Sequence, residues 1–129
     1  SVPVAVITNG TLLHREDVRA ELMQADLVVP SVDAITPQVF ARINRPHPGI
    51  DCARMLEGLA TFSKTYTGRL WVEVMLVQGI NDTDDELQAR GVHRSDFGHV
   101  GLVDLQDPWH VGRRDRSDGG SGGIHDRRP

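Results

Sequence analysis

Two polar side chains follow an apolar run at residues 27–33. Leu, Val, Val and Pro lead into Ser31, Val32 and Asp33. A short Val-rich run of this kind predicts a β-strand covered on both faces, as in parallel sheets. Because side chains alternate along a strand, Ser31 and Asp33 point to the same face. Parallel α/β folds bind ligands at the C-terminal ends of their strands, so both residues are candidates for a ligand site. The alternative is that they only cap the following turn.

Two more predicted strands end in similar polar loops. Residues 4–8 are rich in β-branched side chains and stop at Asn9 and Gly10, and residues 70–77 stop before a loop that contains Asn81 and Asp82. The segments between these strands have helical spacing. This β-α-β-α-β-α order predicts right-handed crossovers and a parallel sheet. The expected fold class is therefore α/β with three βα units.

The helices of these units carry recognisable start signals. Thr36 precedes Pro37, Asp51 precedes an apolar stripe that includes Cys52, and Thr83 opens a capping box with Glu86. Residues 44–49, Asn-Arg-Pro-His-Pro-Gly, form a rigid polar connection between two helices. Such loops often carry function, although this one is also explained as a simple helix breaker.

Glu73 is the charged residue within the third apolar run. A carboxylate on a strand covered on both faces needs a partner or a ligand. The alternative is that the strand is only half buried at this point. Both interpretations are kept open by the sequence.

Composition excludes several classes of function. The chain has 129 residues, enough for one domain, and its formal net charge of -4 provides no basic field for nucleic acid. No apolar run is long enough to span a membrane, and no signal peptide precedes the first strand. The single cysteine, Cys52, allows no disulfide within the chain, suits a reducing cytoplasm and has no second Cys to form a metal site. Because the chain begins with Ser1, we expect it to be part of a longer protein.

The character of the sequence changes near residue 90. Residues 91–129 hold eight of the 13 Gly and four of the six His, and they contain no Glu, Lys or Ala. We therefore predict a folded α/β part over residues 1–90 and a disordered tail over residues 91–129, with at most one short strand at residues 100–105. The composition of the tail is also typical of out-of-frame translation of GC-rich coding sequence, an interpretation that we favour over a dedicated binding tail.

The three strand ends resemble those of a known enzyme superfamily. Residues 7–10 (Ile-Thr-Asn-Gly), 31–34 (Ser-Val-Asp-Ala) and 76–82 (Leu-Val-Gln-Gly-Ile-Asn-Asp) resemble the third, fourth and fifth strand ends of radical S-adenosylmethionine (SAM) enzymes. The resemblance extends over residues 3–90. Within the superfamily, residues 44–48 and 71–77 are most similar to the Fe-S oxidoreductase branch related to tRNA wyosine synthases.

This resemblance implies a partial parallel (β/α) barrel with SAM and a [4Fe-4S] cluster as cofactors, acting on an unknown substrate. It places Ser31 and Asp33 at positions that contact SAM. In the strand numbering of the superfamily barrel, Asn9 ends the third strand on the barrel side. Glu73 points inward on the fifth strand, and Asn81 follows that strand. These five residues are the predicted cofactor-binding set. The resemblance identifies no catalytic residue.

The sequence also departs from the superfamily pattern. The cluster-binding CxxxCxxC motif, the Gly-Gly-Glu loop after the second strand and the sixth strand have no counterparts. We therefore expect a middle fragment that is inactive alone and whose partner is the missing N-terminal half of the barrel. One alternative is a non-catalytic α/β module that binds a nucleotide or a protein partner. Another is an aldolase-like barrel lyase, but its strand-end Lys is missing because Lys64, the one lysine, lies on a predicted helix.

Overall fold

A computed structural model of the chain describes residues 1–89, 100–104, 110–113 and 124–126. Helices and strands alternate in the first part and strands alone follow. The elements are β1 Ala5–Thr8, α1 Glu16–Leu22, β2 Leu27–Pro30, α2 Pro37–Ile43, α3 Cys52–Thr65, β3 Arg69–Met75, α4 Asp84–Ala89, β4 Val100–Asp104, β5 His110–Arg113 and β6 Ile124–Asp126. The six strands form one sheet in sequence order.

Strands β1, β2 and β3 are parallel, which confirms the predicted α/β class. Ala5 lies opposite Leu27, and Leu27 lies opposite Arg69. Helix α1 connects the first pair of strands, and α2 with α3 connects the second. Parallel neighbours require such crossovers, and the order of apolar runs and helical segments already indicated them.

Strands β4, β5 and β6 are antiparallel to their neighbours and lie in the segment predicted to have low order. Strand β4 matches the one strand expected at residues 100–105, whereas β5 and β6 exceed that prediction. The reason is that antiparallel pairing uses backbone N–H and C=O groups, which a Gly- and Arg-rich segment also carries. The other residues of the tail lie outside the described residues. The boundary near residue 90 and the out-of-frame origin stay predictions.

One face of the parallel sheet is packed by α3. Val28 and Leu70 from neighbouring strands meet Phe62 from α3 and Tyr66, the residue that follows the helix, together with Leu13 from the loop after β1. The rings of Phe62 and Tyr66 stack with their centroids 4.5 Å apart. This cluster confirms the apolar stripe predicted for α3 and fixes the sheet from one side.

Helix α3 approaches the loop after β1 very closely at Gly58. A Cβ atom at this position would lie 2.3 Å from the carbonyl carbon of Leu13 and 2.4 Å from the amide nitrogen of His14. The loop itself turns at Gly10, whose φ of 71° is the left-handed conformation that glycine adopts at low cost. Absence of a side chain at Gly58 therefore brings α3 into direct backbone contact with the loop.

The predicted helix starts are confirmed. Thr36 Oγ1 accepts a hydrogen bond from the Val39 amide at 3.4 Å, and Asp51 Oδ1 accepts one from the Arg54 amide at 2.9 Å. Thr83 Oγ1 accepts from the amide of Glu86 at 3.4 Å. The carboxylate of Glu86 also accepts from the Thr36 hydroxyl at 2.9 Å, which joins the beginnings of α2 and α4.

The second face of the parallel strands is only partly covered, although Val29 on β2 is buried there. Ile7 on β1 is 73% exposed, and Met75 at the end of β3 is 40% exposed. The two covered faces predicted for residues 27–30 are observed, since Val28 and Val29 on opposite faces of β2 are both buried. Strand β1 differs, because a β-branched run does not show which of its faces a neighbouring element will cover. We call this face the open face; its residues alternate with those packed on α3 and include Ile7, Ser31, Trp71, Glu73 and Met75.

The helices of the described part are short. None of those found in residues 1–89 combines the length and the apolar character needed to cross a bilayer.

Candidate ligand site at the strand ends

Ser31 and Glu73 are neighbours at the C-terminal end of the parallel sheet. They form an isolated parallel bridge, in which the Val32 amide donates to the Glu73 carbonyl at 2.9 Å. Both residues are partly exposed on the open face. A hydroxyl that donates or accepts thus stands beside a carboxylate that accepts. Of the two interpretations of Glu73, the structure shows the half-buried strand. The partial exposure of the Glu73 carboxylate means that it does not need a ligand as a partner.

Asp33 bonds across to the next strand. Its Oδ1 accepts from the Met75 amide at 3.0 Å, and its Oδ2 accepts from Asn44 Nδ2 at 3.2 Å. The residue is buried, with 9% of its surface exposed. The carboxylate therefore joins the ends of β2 and β3 to the start of the 44–49 loop. These contacts have a structural role, and the predicted contact of Asp33 with SAM stays a prediction.

Asn81 is fully buried in the loop after β3. Its Oδ1 accepts from the Val77 amide at 2.6 Å, while Nδ2 donates to the carbonyls of Asp33 and Met75, both at 2.7 Å. The structure thus brings Asn81 and Asp33 together, while their predicted binding of a cofactor stays a prediction. Both amide hydrogens of Asn81 are already bound to protein carbonyls. Sequence reasoning missed this role, for which the only local signal was the Gly-Ile-Asn-Asp turn.

Asn9 lies directly after β1 and is exposed. Its Oδ1 accepts from the amide of Thr11 at 3.1 Å and from the Thr11 hydroxyl at 2.8 Å. The amide of Ser31 donates to the Thr8 carbonyl at 2.9 Å, so the end of β1 adjoins the Ser31 position. The pairing of β1 with β2 therefore places Asn9 near Ser31. The side-chain oxygen of Asn9 is already hydrogen-bonded to Thr11 within the local turn.

Cys52 does not fit an iron-sulfur cluster. It is buried among Ala34, Phe40 and Met55 at the start of α3, on the apolar stripe predicted for this helix. Burial raises the pKa of the Cys52 thiol, with smaller contributions from nearby carboxylates, and so favours the protonated form that does not bind metal. A [4Fe-4S] cluster needs several thiolates, and the sequence has one Cys. Within the described residues, no group of three His, Cys, Asp or Glu is placed to hold a metal ion.

We expect anaerobic reconstitution of this chain with iron and sulfide to give no cluster. The physical reason is the single, buried thiol, and the measurement is the visible absorption spectrum after removal of free iron. Cys52→Ala serves as the control and should give the same spectrum as the parent. A stable cluster absorption in the parent that disappears in Cys52→Ala would contradict this prediction.

A cavity of about 750 Å³ lies at the end of the sheet opposite to Ser31 and Glu73. Its walls include Asp26, Arg69 and Trp71, close to the starts of the strands. Asp26 Oδ2 accepts from the Val4 amide at 2.7 Å, so this carboxylate helps to align β1 with β2. Ligands of open parallel sheets bind at the C-terminal ends, which favours the Ser31 end over this cavity.

Comparisons with known proteins give partial matches. No family profile and no solved structure matches the chain. It is 37% identical over 86 residues to a UPF0026 protein of Methanocaldococcus jannaschii, covering 67% of this chain and 27% of that protein. It is 43% identical over 86 residues to a GTPase Obg of Brachyspira hyodysenteriae, covering 67% and 13%. A GTP 3',8-cyclase of Xanthomonas axonopodis is 33% identical over 99 residues, covering 75% and 28%. The chain thus spans less than a third of the length of these relatives.

Proposed function

We propose that the intact protein is a radical SAM enzyme and that this chain supplies part of its SAM site. The observation that carries the proposal is the Ser31–Glu73 pair on the open face, at the C-terminal ends of parallel strands. Similarity to a GTP 3',8-cyclase, a radical SAM enzyme, supports the wider superfamily. The comparisons give no support for the finer placement beside the wyosine synthases.

The chemistry of the pair suits SAM. The ammonium and ribose hydroxyl groups of SAM can donate hydrogen bonds to the carboxylate of Glu73. The carboxylate of SAM can accept one from the Ser31 hydroxyl. Asn9, exposed after β1, adds an amide at the same edge. Asp33 contributes to the site by accepting the hydrogen bond from the Met75 amide, which fixes the end of β3. Its direct contact with SAM is also part of the proposal. The cluster that would reductively cleave SAM, and the N-terminal half of the barrel that would carry it, are assigned to the rest of the intact protein.

A second candidate is a non-catalytic module that binds a nucleotide at the same strand ends. The partial exposure of Ser31 and Glu73 is compatible with any ligand that carries hydroxyl groups. Phosphate binding of the P-loop type is not supplied by this sequence, which has no GxxxxGK[ST] motif. The similarity to a GTPase Obg, which covers 13% of that protein, therefore does not favour GTP binding here.

The two candidates are separated by titrating SAM and adenosine into the ¹⁵N-labelled chain. We expect SAM to shift the amide signals of Ser31 and Glu73, because its amino acid part engages this pair. Adenosine at the same concentration should give much smaller shifts. Equal shifts with both compounds would favour the nucleotide-binding module. No shifts, or shifts confined to Arg69 and Trp71 at the opposite cavity, would contradict binding at the strand ends.

Replacement of Ser31 by alanine is expected to weaken SAM binding about ten- to a hundred-fold. Loss of a hydrogen bond to a charged group is worth roughly 1.5–3 kcal/mol, which corresponds to that range. The readout is the SAM concentration at which the Glu73 amide shift reaches half its limit. Ser63→Ala removes an exposed hydroxyl on α3 and serves as the control, with unchanged affinity expected. Parent-like affinity of Ser31→Ala would show that Ser31 only caps the turn.

A further inference from the structure

We propose that Asn81 is a positioning residue that fixes the strand ends of the SAM site and does not contact the ligand. The inference rests on the proposed function, because it concerns the same site. It also changes the role expected from the sequence, which placed Asn81 in the cofactor-binding set.

The first argument is the complete use of the Asn81 amide. The residue has no exposed surface, and its two N–H groups donate to the carbonyls of Asp33 and Met75. Its Oδ1 accepts the short bond from the Val77 amide. A ligand has no access to this side chain unless these bonds break, and leaving buried polar groups unpaired is costly.

The second argument is the location of these bonds. Asp33 and Met75 are already linked by the bond from the Met75 amide to Asp33 Oδ1. We call the three bonds that connect Asp33, Met75 and Asn81 the strand-end clamp. The clamp lies two residues beyond the Ser31–Glu73 bridge, on the same two strands. The separation of Ser31 and Glu73 is therefore set by the clamp at one side and by the sheet at the other.

The third argument is the conformation of the loop after β3, which places Asn81 between the ends of β2 and β3. The Val77 carbonyl accepts from the amides of Ile80 and Asn81 at 3.0 and 3.3 Å. Gly79 turns the chain with φ of 74°, and its amide donates to Asp82 Oδ1 at 2.8 Å. This tight turn returns the chain beneath the end of β3, so that Asn81 reaches both strands.

The decisive variant is Asn81→Asp. It keeps the shape of the side chain and the acceptor for the Val77 amide, but it cannot donate to the two carbonyls when ionised. Asn81→Ala removes all three bonds. Tyr66→Phe is the control for stability, because it removes the partly buried bond from the Tyr66 hydroxyl to the Ala25 carbonyl (2.6 Å), which lies near the starts of the strands.

Two readouts on the ¹⁵N-labelled chain test the proposal. Hydrogen exchange should show a protected Val77 amide in the parent and in Asn81→Asp, and at least tenfold faster exchange in Asn81→Ala. SAM titration should show at least a tenfold loss of affinity in Asn81→Asp. Tyr66→Phe should keep the parent affinity, because a lower global stability does not change the strand-end geometry of the folded molecules.

The outcomes separate the two levels of the proposal. Parent-like SAM affinity in folded Asn81→Asp would overturn the positioning role. If Asn81→Asp does not fold, Asn81→Ser keeps one donor without adding charge and replaces it, with the same expected loss. If the parent itself shows no SAM-dependent shifts, the proposed function fails. In that case hydrogen exchange is the only test of the positioning role. Unchanged protection of the Val77 amide in Asn81→Ala would overturn that role.

Discussion

Replacing Gly58 by alanine is expected to destabilise the fold by about 1–3 kcal/mol or more, the range for overpacking a close contact. The added Cβ would lie 2.3 Å from the carbonyl carbon of Leu13, and the opposing atoms belong to the backbone. Because a backbone cannot rotate away as a side chain can, either α3 or the loop after β1 must move. Urea denaturation followed by circular dichroism gives the free energy of unfolding.

The sign of this effect makes the prediction specific. In an ordinary helix interior, a change from glycine to alanine stabilises by roughly 0.5–1 kcal/mol. Thr61→Ala, at an exposed position one turn further along α3, is the control and should change stability little. A Gly58→Ala variant as stable as the parent, or more stable, would mean that α3 does not touch the loop as described.

Replacing Asp33 by alanine is expected to lower the free energy of unfolding by about 3 kcal/mol. The estimate comes from two hydrogen bonds to a charged group, each worth roughly 1.5–3 kcal/mol and not fully additive. These are the bonds from the Met75 amide and from Asn44 Nδ2. The loss matters for function as well, because the strand-end clamp includes Asp33.

A graded series checks the origin of the effect. Asp33→Asn should cost less than Asp33→Ala, since an amide oxygen can still accept from Met75 while its NH2 group faces the NH2 group of Asn44. A double-mutant cycle between Asp33→Ala and Asn44→Ala should give a coupling of at least about 0.5 kcal/mol, as expected for residues in contact. Additive losses would show that the Asp33–Asn44 bond does not form in solution.

Local signals in the sequence were sufficient for most of the parallel part of the fold. The helix starts at Thr36 and Asp51 depend on capping by neighbouring residues, and the strands depend on short β-branched runs; both are encoded within a few positions. The β5 and β6 pairings were not predictable in this way, because backbone pairing leaves no distinctive side-chain pattern. The exposure of Ile7 was not predictable for a related reason, since which face of a strand is covered depends on tertiary packing.

The candidate site was predictable only in part. Strand order and register bring Ser31 beside Glu73, and both stood out in the sequence, Ser31 after an apolar run and Glu73 within one. The bonds between these two strand ends could not be predicted, because Asp33 lies 42 residues from Met75 and 48 residues from Asn81 in the sequence. A polar residue at a strand end looks the same in a sequence whether it binds a ligand or bonds to the neighbouring strand.

The antiparallel pairing of β4 has a consequence for any longer form of the protein. A strand has two hydrogen-bonding edges, and those of β3 are occupied by β2 on one side and by β4 on the other. A further parallel strand added next to β3, as a closing barrel requires, would compete for the same amides and carbonyls along β3. The two arrangements are mutually exclusive. Barrel closure past β3 therefore requires Val100–Asp104 to leave this edge.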